Sequence, residues 1–252
     1  DHRDLHSFPT RRSSDLPDTF ERDWVYALTS DYLPPDDVVA IAQRRFNKPV
    51  ELQRTHPHYE NWKPDRYGPA FYETLYIGHG YQLGSLAKGT GGDWNGFSLH
   101  VADDSGVDEL KVNADNPHVI AQYKNLLLWY GAESPEIDTP DSCLEQQVDT
   151  TMVLNCDPVW MVIYPFDRGF ALEIGEAQTH GSFSAFQQSI TARSQLLVDT
   201  PQIEYRGSQG KTITMAPQEL GLPHVWRDGT AHDWKAHDRD LSFVLQQIVL
   251  RP

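Results

Sequence analysis

Past residue 70 the chain alternates short apolar runs with clusters of turn-forming residues. The runs, rich in Val, Ile, Leu and aromatic side chains, fall at 71–77, 81–87, 97–101, 150–154, 159–164 and 170–174. They recur at 202–205, 212–215, 225–226 and 242–250. Between them stand Gly89-Thr90-Gly91-Gly92-Asp93, Asp103-Asp104-Ser105-Gly106, Asp167-Arg168-Gly169 and Arg227-Asp228-Gly229-Thr230. Strands this short at this spacing predict a mainly β fold, an antiparallel β-sandwich of stacked sheets. Ile203 and Tyr205 alternate, as do Ile213 and Met215, around Gly207-Ser208-Gln209-Gly210, which predicts a hairpin. Trp226 and Trp234 flank a second, Asp-Gly turn.

Two segments have a different period. Pro34-Pro35-Asp36-Asp37 opens a stripe of Val38, Val39, Ile41, Ala42 and Phe46, with Arg44, Arg45 and Lys48 at its end and Pro49 beyond. These are start and stop signals for a short N-terminal helix over 36–46. Phe183, Phe186, Ile190 and Leu197 follow a period near 3.6 after Ser182, a candidate N-cap, which predicts a helix near 183–197. The run PHVIAQYKNLLLWYG fits either period and is read as strand. The Pro-, His- and Tyr-rich stretch 55–69 reads as an irregular connection.

Residues 1–16 are polar and show no period. The run His6-Ser7-Phe8-Pro9-Thr10-Arg11-Arg12-Ser13-Ser14-Asp15-Leu16 resembles a translated sequencing adaptor. It is therefore read as an artefactual or disordered tail outside the fold. The chain divides into that tail, a helical or irregular segment over 17–70, and a β-sandwich domain over 71–252.

Charge and composition narrow the function. Lys and Arg number 21 against 36 Asp and Glu, a net charge of −15. Nucleic acid and anionic membranes need a basic face, so neither is expected as a partner. No stretch approaches the roughly 20 apolar residues of a membrane helix. The glycine-rich loop at Gly89 lacks a following Lys-Ser/Thr, and no Gly-x-Ser-x-Gly elbow occurs. Cys143 and Cys156 are the only cysteines. They either pair in an oxidising compartment or serve as small buried apolar side chains, and they are too few for a cysteine zinc site. His56 and His58 flank Pro57, and His232 and His237 bracket Trp234, but no histidine spacing matches a metal-ligand motif. No cofactor is expected. Trp94, in the polar loop GGDWNG, is a candidate carbohydrate-binding platform, because an aromatic face stacks on the apolar face of a sugar. With 36 acids, spacing alone selects no catalytic carboxylate pair.

The segments ETLYIGHGYQLGSLAKG, IAQYKNLLLWYG, FALEIGEAQTHGSFSAFQQSI and IEYRGSQGKTITM carry a resemblance. Together they resemble the C-terminal β-domain of heparinase II/III-like polysaccharide lyases and their uncharacterised relatives, over roughly residues 34–252. In those proteins a helical toroid precedes a stacked antiparallel β-region. The resemblance implies that the helix over 36–46 is the remnant of an upstream helical domain of the same protein. It implies β-elimination on a uronic-acid sugar: a Tyr or His removes the C5 proton while a neutral or cationic group steadies the carboxylate. Most of those groups come from the toroid, so the chain is expected to be catalytically incomplete alone. His79 and Tyr81, near the domain junction, are the candidate catalytic residues. The expected partner is an acidic polysaccharide or oligosaccharide, and the expected location is secreted or periplasmic. The alternative is a non-catalytic module that binds glycan or serves a structural or interaction role. A cleft lined by Tyr, His and Arg at a helix–sheet junction would favour the lyase-like reading. A flat aromatic platform near Trp94 would favour the module.

Overall fold

Several apolar runs are too continuous for a sheet with one wet face. LLLWYG and GFALEIGE leave almost no position for a solvated side chain, which suits a strand covered on both faces. The structure, a computed structural model, describes residues 49–59, 67–88, 96–103, 106–113, 118–141, 143–199, 201–218 and 221–237. All of these belong to one compact unit, Arg44–Pro252. Their strands form three antiparallel sheets.

The first sheet contains β1 (Val50–Tyr59), β2 (Tyr67–Ile77), β3 (Tyr81–Lys88), β4 (Gly96–Asp103), β5 (Gly106–Asn113) and β8 (Glu136–Asp138), in that order. The central sheet is built from β6 (His118–Tyr123), β7 (Leu126–Gly131), β9 (Leu144–Val148), β10 (Thr151–Asn155), β11 (Val159–Phe166) and β12 (Gly169–Glu176), in the spatial order β6-β7-β12-β11-β10-β9. The outer sheet is a meander of β13 (Gln195–Asp199), β14 (Gln202–Arg206), β15 (Thr212–Ala216), β16 (His224–Arg227) and β17 (Thr230–Ala231). Two helices, α1 (Ala177–His180) and α2 (Phe183–Arg193), join the central and outer sheets. A short 3-10 turn, Trp234–His237, follows β17.

Side-chain alternation assigns the central strands to two cores. Ile120, Leu127, Trp129, Met161, Phe170 and Leu172 pack with Leu83, Leu99 and Leu110 of the first sheet. Val119, Ala121, Leu126, Leu128 and Ala171 point the other way, onto Ile203, Tyr205, Ile213, Met215 and Val225. Farther along that same face Val153, Trp160 and Val162 receive Phe186 and Ile190 of α2. At Gly175 a Cβ would lie 2.6 Å from Phe186 Cδ2, so the absence of a side chain lets the helix sit against β12. The stacked-sheet sandwich predicted from the run spacing is the observed architecture.

Local differences from the sequence reading have physical causes. Residues 55–69 were expected to be irregular, yet β1 and β2 pair through both ends of that stretch. Pro57 falls where the β1–β2 register shifts between His56 and His58, a position that tolerates a missing N–H. The ambiguous run is a hairpin of β6 and β7, turned by Lys124 at φ 54° and by Asn125. Asn125 continues the ladder by exchanging bonds with Ile174: its side chain donates to the Ile174 carbonyl at 2.8 Å, and its own carbonyl accepts at 3.0 Å. Ser182 caps α2 by accepting from the Ala185 N–H, but the helix stops at Arg193 rather than near 197. Ser194 is already extended, and Leu197 lies exposed on β13, paired with Glu204. The tail over 1–16, the helix over 36–46, the loop carrying Trp94 and the run at 242–250 lie outside the described residues.

Two interactions pin the layers. Cys143 and Cys156 form a disulfide that closes the β9–β10 hairpin, with Cys156 in the core beneath it. Glu173, fully buried on β12, faces the outer sheet. It accepts from the Tyr205 hydroxyl at 2.6 Å, from the Ser208 N–H at 3.0 Å and from the Ser208 and Ser194 hydroxyls. This carboxylate fixes the β14–β15 turn and the end of α2 to the central sheet.

The disulfide spans 13 positions, so replacing both cysteines by Ser is expected to lower the unfolding free energy by about 3 kcal/mol, through a looser unfolded chain. Denaturant titration of the oxidised wild type and the double variant measures this. At Glu173, Glu173→Ala leaves the Tyr205 and Ser208 donors buried without an acceptor and is expected to cost about 3–5 kcal/mol. Tyr205→Phe removes one donor and is expected to cost about 1–2 kcal/mol. A Glu173→Ala loss no larger than that of Tyr205→Phe would contradict the shared-acceptor account.

Candidate functional site

Glu176 ends β12 on the face shared by Phe170, Leu172 and Ile174, and so points toward the first sheet. It is buried, and the β2–β3 turn Gly78-His79-Gly80 comes down onto it. The turn is closed by the Gly78 N–H donating to the Tyr81 carbonyl at 2.9 Å. A Cβ on Gly78 would collide with the Tyr81 ring, so the tight approach requires glycine. Glu176 Oε2 accepts from the His79 main-chain N–H at 2.8 Å, and Oε1 lies 3.0 Å from His79 Nδ1. The carboxylate thus fixes both the backbone and the ring of one histidine. With Nδ1–H donated to Glu176, the neutral imidazole carries its lone pair on Nε2. The His79 side chain keeps 21% of its surface in solvent, against 5% for Glu176.

Tyr81 stands at the other end of the same turn, but its ring is in the core and only 6% exposed. Its hydroxyl bonds to that of Tyr76, whose ring centroid is 6.0 Å away. Burial, and then the charge of Glu176, push the Tyr76 phenol up to about 12. Burial likewise drives Tyr81 well above its ordinary value. Both phenols therefore stay protonated at neutral pH, with Tyr81 donating to Tyr76, whereas a base would need the opposite shift. Of the two residues singled out in the sequence, His79 reaches the surface and Tyr81 supports the turn from beneath.

The sequence reading did not find Glu176. One acid among 36 carries no local signature, although the even-numbered apolar positions of β12 already marked its face. Glu173 and Glu176 are three residues apart and project from opposite faces of β12. They therefore cannot flank one glycosidic bond. Among the described residues no group of three His, Cys, Asp or Glu side chains is placed to hold a metal ion.

A cleft of about 560 Å³ opens between the central and outer sheets. Val119, Tyr130, Ile203 and Pro217 supply apolar wall, and His118, Arg168, Gln202 and Gln218 supply polar groups. Arg168 lies in the β11–β12 turn. Its Nε donates to the Gly131 carbonyl at 2.9 Å, and its guanidinium sits 4.7 Å over the Tyr130 ring. The Gly131 N–H returns a bond to the Arg168 carbonyl at 2.9 Å. This cleft combines Tyr, His and Arg, but it lies between two sheets rather than at a helix–sheet junction.

His180, at the end of α1, packs edge-on against Phe186 at 5.0 Å, with Nδ1 3.3 Å from Ser189 Oγ and Nε2 buried without a partner. Burial lowers its pKa below the ordinary 6.5, while the charges of Glu173 and Glu176 pull in the opposite direction. The unfolded chain therefore binds a proton there first. The resulting stability is complete above pH 6.5 and is lost as pH falls through the folded value. Denaturant titrations above and below pH 6.5 are expected to show that His180→Gln flattens this part of the stability profile. An unchanged slope would place the proton uptake elsewhere. No family model matches this chain, and neither does any curated protein or solved structure.

Proposed function

We propose that the chain is the β-sandwich portion of a carbohydrate-active, polysaccharide-lyase-like protein acting on acidic polysaccharide. The supporting observation is His79, partly exposed on the β2–β3 turn while buried Glu176 holds both its ring and its peptide N–H. In this reading His79 Nε2 takes the C5 proton of a uronate unit. The C5 electron pair forms the C4–C5 double bond, the bond from C4 to the glycosidic oxygen breaks, and that oxygen leaves with a proton taken from water. Glu176 steadies the imidazolium that forms, as an orienting carboxylate does beside any catalytic histidine. An upstream helical domain contributes the group that neutralises the sugar carboxylate. The disulfide fits an oxidising, extracytoplasmic compartment. The second reading, a glycan-binding module without catalysis, draws its support from the inter-sheet cleft.

The test uses the protein extended upstream through its own reading frame. Uronate polymers are expected to give a rise in ultraviolet absorbance from the new double bond. His79→Ala should lower kcat by about 100-fold or more. Glu176→Gln should lower it less and shift the pH profile, since it keeps the ring in place without the charge. An extended protein that produces no unsaturated sugar, or a His79→Ala variant at the wild-type rate, would remove the lyase-like reading.

A further inference from the structure

The cleft between the central and outer sheets has no role in the chemistry assigned to His79. We propose that it is a second saccharide site, which takes a carboxylate-bearing sugar unit on Arg168. Arg168 is pre-set for this task. Its Nε is committed to the Gly131 carbonyl and its plane is held against Tyr130. That leaves the two terminal nitrogens as a fork whose spacing matches a carboxylate. In a chain with 36 acids, none of the described residues gives Arg168 a carboxylate partner. Among the described residues the guanidinium is thus ordered by neutral groups, a carbonyl and an aromatic ring. The walls of Val119, Ile203 and Pro217 suit the C–H face of a pyranose, and the Gln202 and Gln218 amides suit its hydroxyls. A volume of about 560 Å³ falls within the range of small-ligand sites, about 300–1,000 Å³.

The site is separate from His79 in two respects. Arg168 precedes Gly169 at one end of β12 and Glu176 is at the other, roughly 24 Å along an extended strand. The cleft lies on the outer-sheet side of the central sheet, whereas Glu176 faces the first sheet. Occupancy of the cleft would tether an acidic chain to the module without engaging the histidine.

The experiment titrates the chain with a galacturonate trisaccharide and with the same trisaccharide fully methyl-esterified, read by amide chemical shifts and calorimetry. The acid form is expected to shift the amides of Val119, Gly131 and Ile203 and to bind about tenfold or more tighter than the ester. Arg168→Gln should weaken the acid form by a similar factor, and His79→Ala should leave it unchanged. The ester comparison is made on the wild-type chain and does not depend on how the variant folds. Equal affinity for acid and ester, wild-type binding by Arg168→Gln, shifts confined to the His79 turn, or no binding would each overturn the proposal. Loss of elimination in the His79→Ala variant leaves this result untouched, so the two readings fail separately.

Discussion

A strand covered on both faces has no wet side on which to place a charge. Every position of β12 is buried, yet it carries two glutamates. An unanswered carboxylate in such a place costs several kcal/mol, so each must draw donors onto itself. The two solutions differ. Glu173 is met by the Tyr205 and Ser208 hydroxyls and a peptide N–H, a closed set that locks the outer sheet onto the central one. Glu176 is met by the peptide N–H and the imidazole of His79, a group that still touches solvent. One physical requirement therefore yields a structural knot on one face of the strand and a poised histidine on the other.

The edge of the central sheet is handled by a comparable device. β6 would expose unpaired backbone, but Arg227 of the outer sheet reaches around it and donates to the Gln122 carbonyl at 2.6 Å. The same guanidinium approaches Thr74 Oγ1 at 3.5 Å and Glu51 at 3.8 Å in the first sheet, and lies 5.6 Å over Tyr123. Gln122 in turn donates its amide to the Leu83 carbonyl of the first sheet at 3.0 Å. Burial lowers the guanidinium pKa, and the charge of Glu51 beside it pulls in the opposite direction. The three layers are thereby joined at β6 by polar contacts as well as by the two apolar cores.

What the sequence made legible follows the reach of its signals. Alternation at Ile203, Tyr205, Ile213 and Met215 and the turn glycines between them are local, so the β14–β15 hairpin could be read directly. The continuous run Leu126–Gly131 announced burial, but it took the partner layers to show that both of its faces are covered. β1 was missed because Pro57 and the surrounding histidines look like loop chemistry, while its pairing with β2 is set by tertiary contact. Leu197 fell on a helical period by coincidence, and the ladder with β14 overrode it. At the candidate site, His79 was singled out only through the resemblance, by its place near the expected domain junction. Glu176 was not, because its partner is 97 residues away and no local pattern encodes that distance.

The net charge of −15 bears on both functional readings and weighs less than its size implies. Charges beyond about 8 Å are largely screened at physiological salt, so a distant acid hardly affects a sugar carboxylate docked on the protein. What decides binding is whether a cation stands ready at contact distance with its orientation already fixed. Most of the basic side chains are spread over the chain, and Arg227 is consumed by the layers it joins. Arg168 is held by a carbonyl and an aromatic ring, neither of which neutralises it. A cation fixed in this way acts at contact distance, where screening by salt is weakest, and that is the property the proposed second site would use.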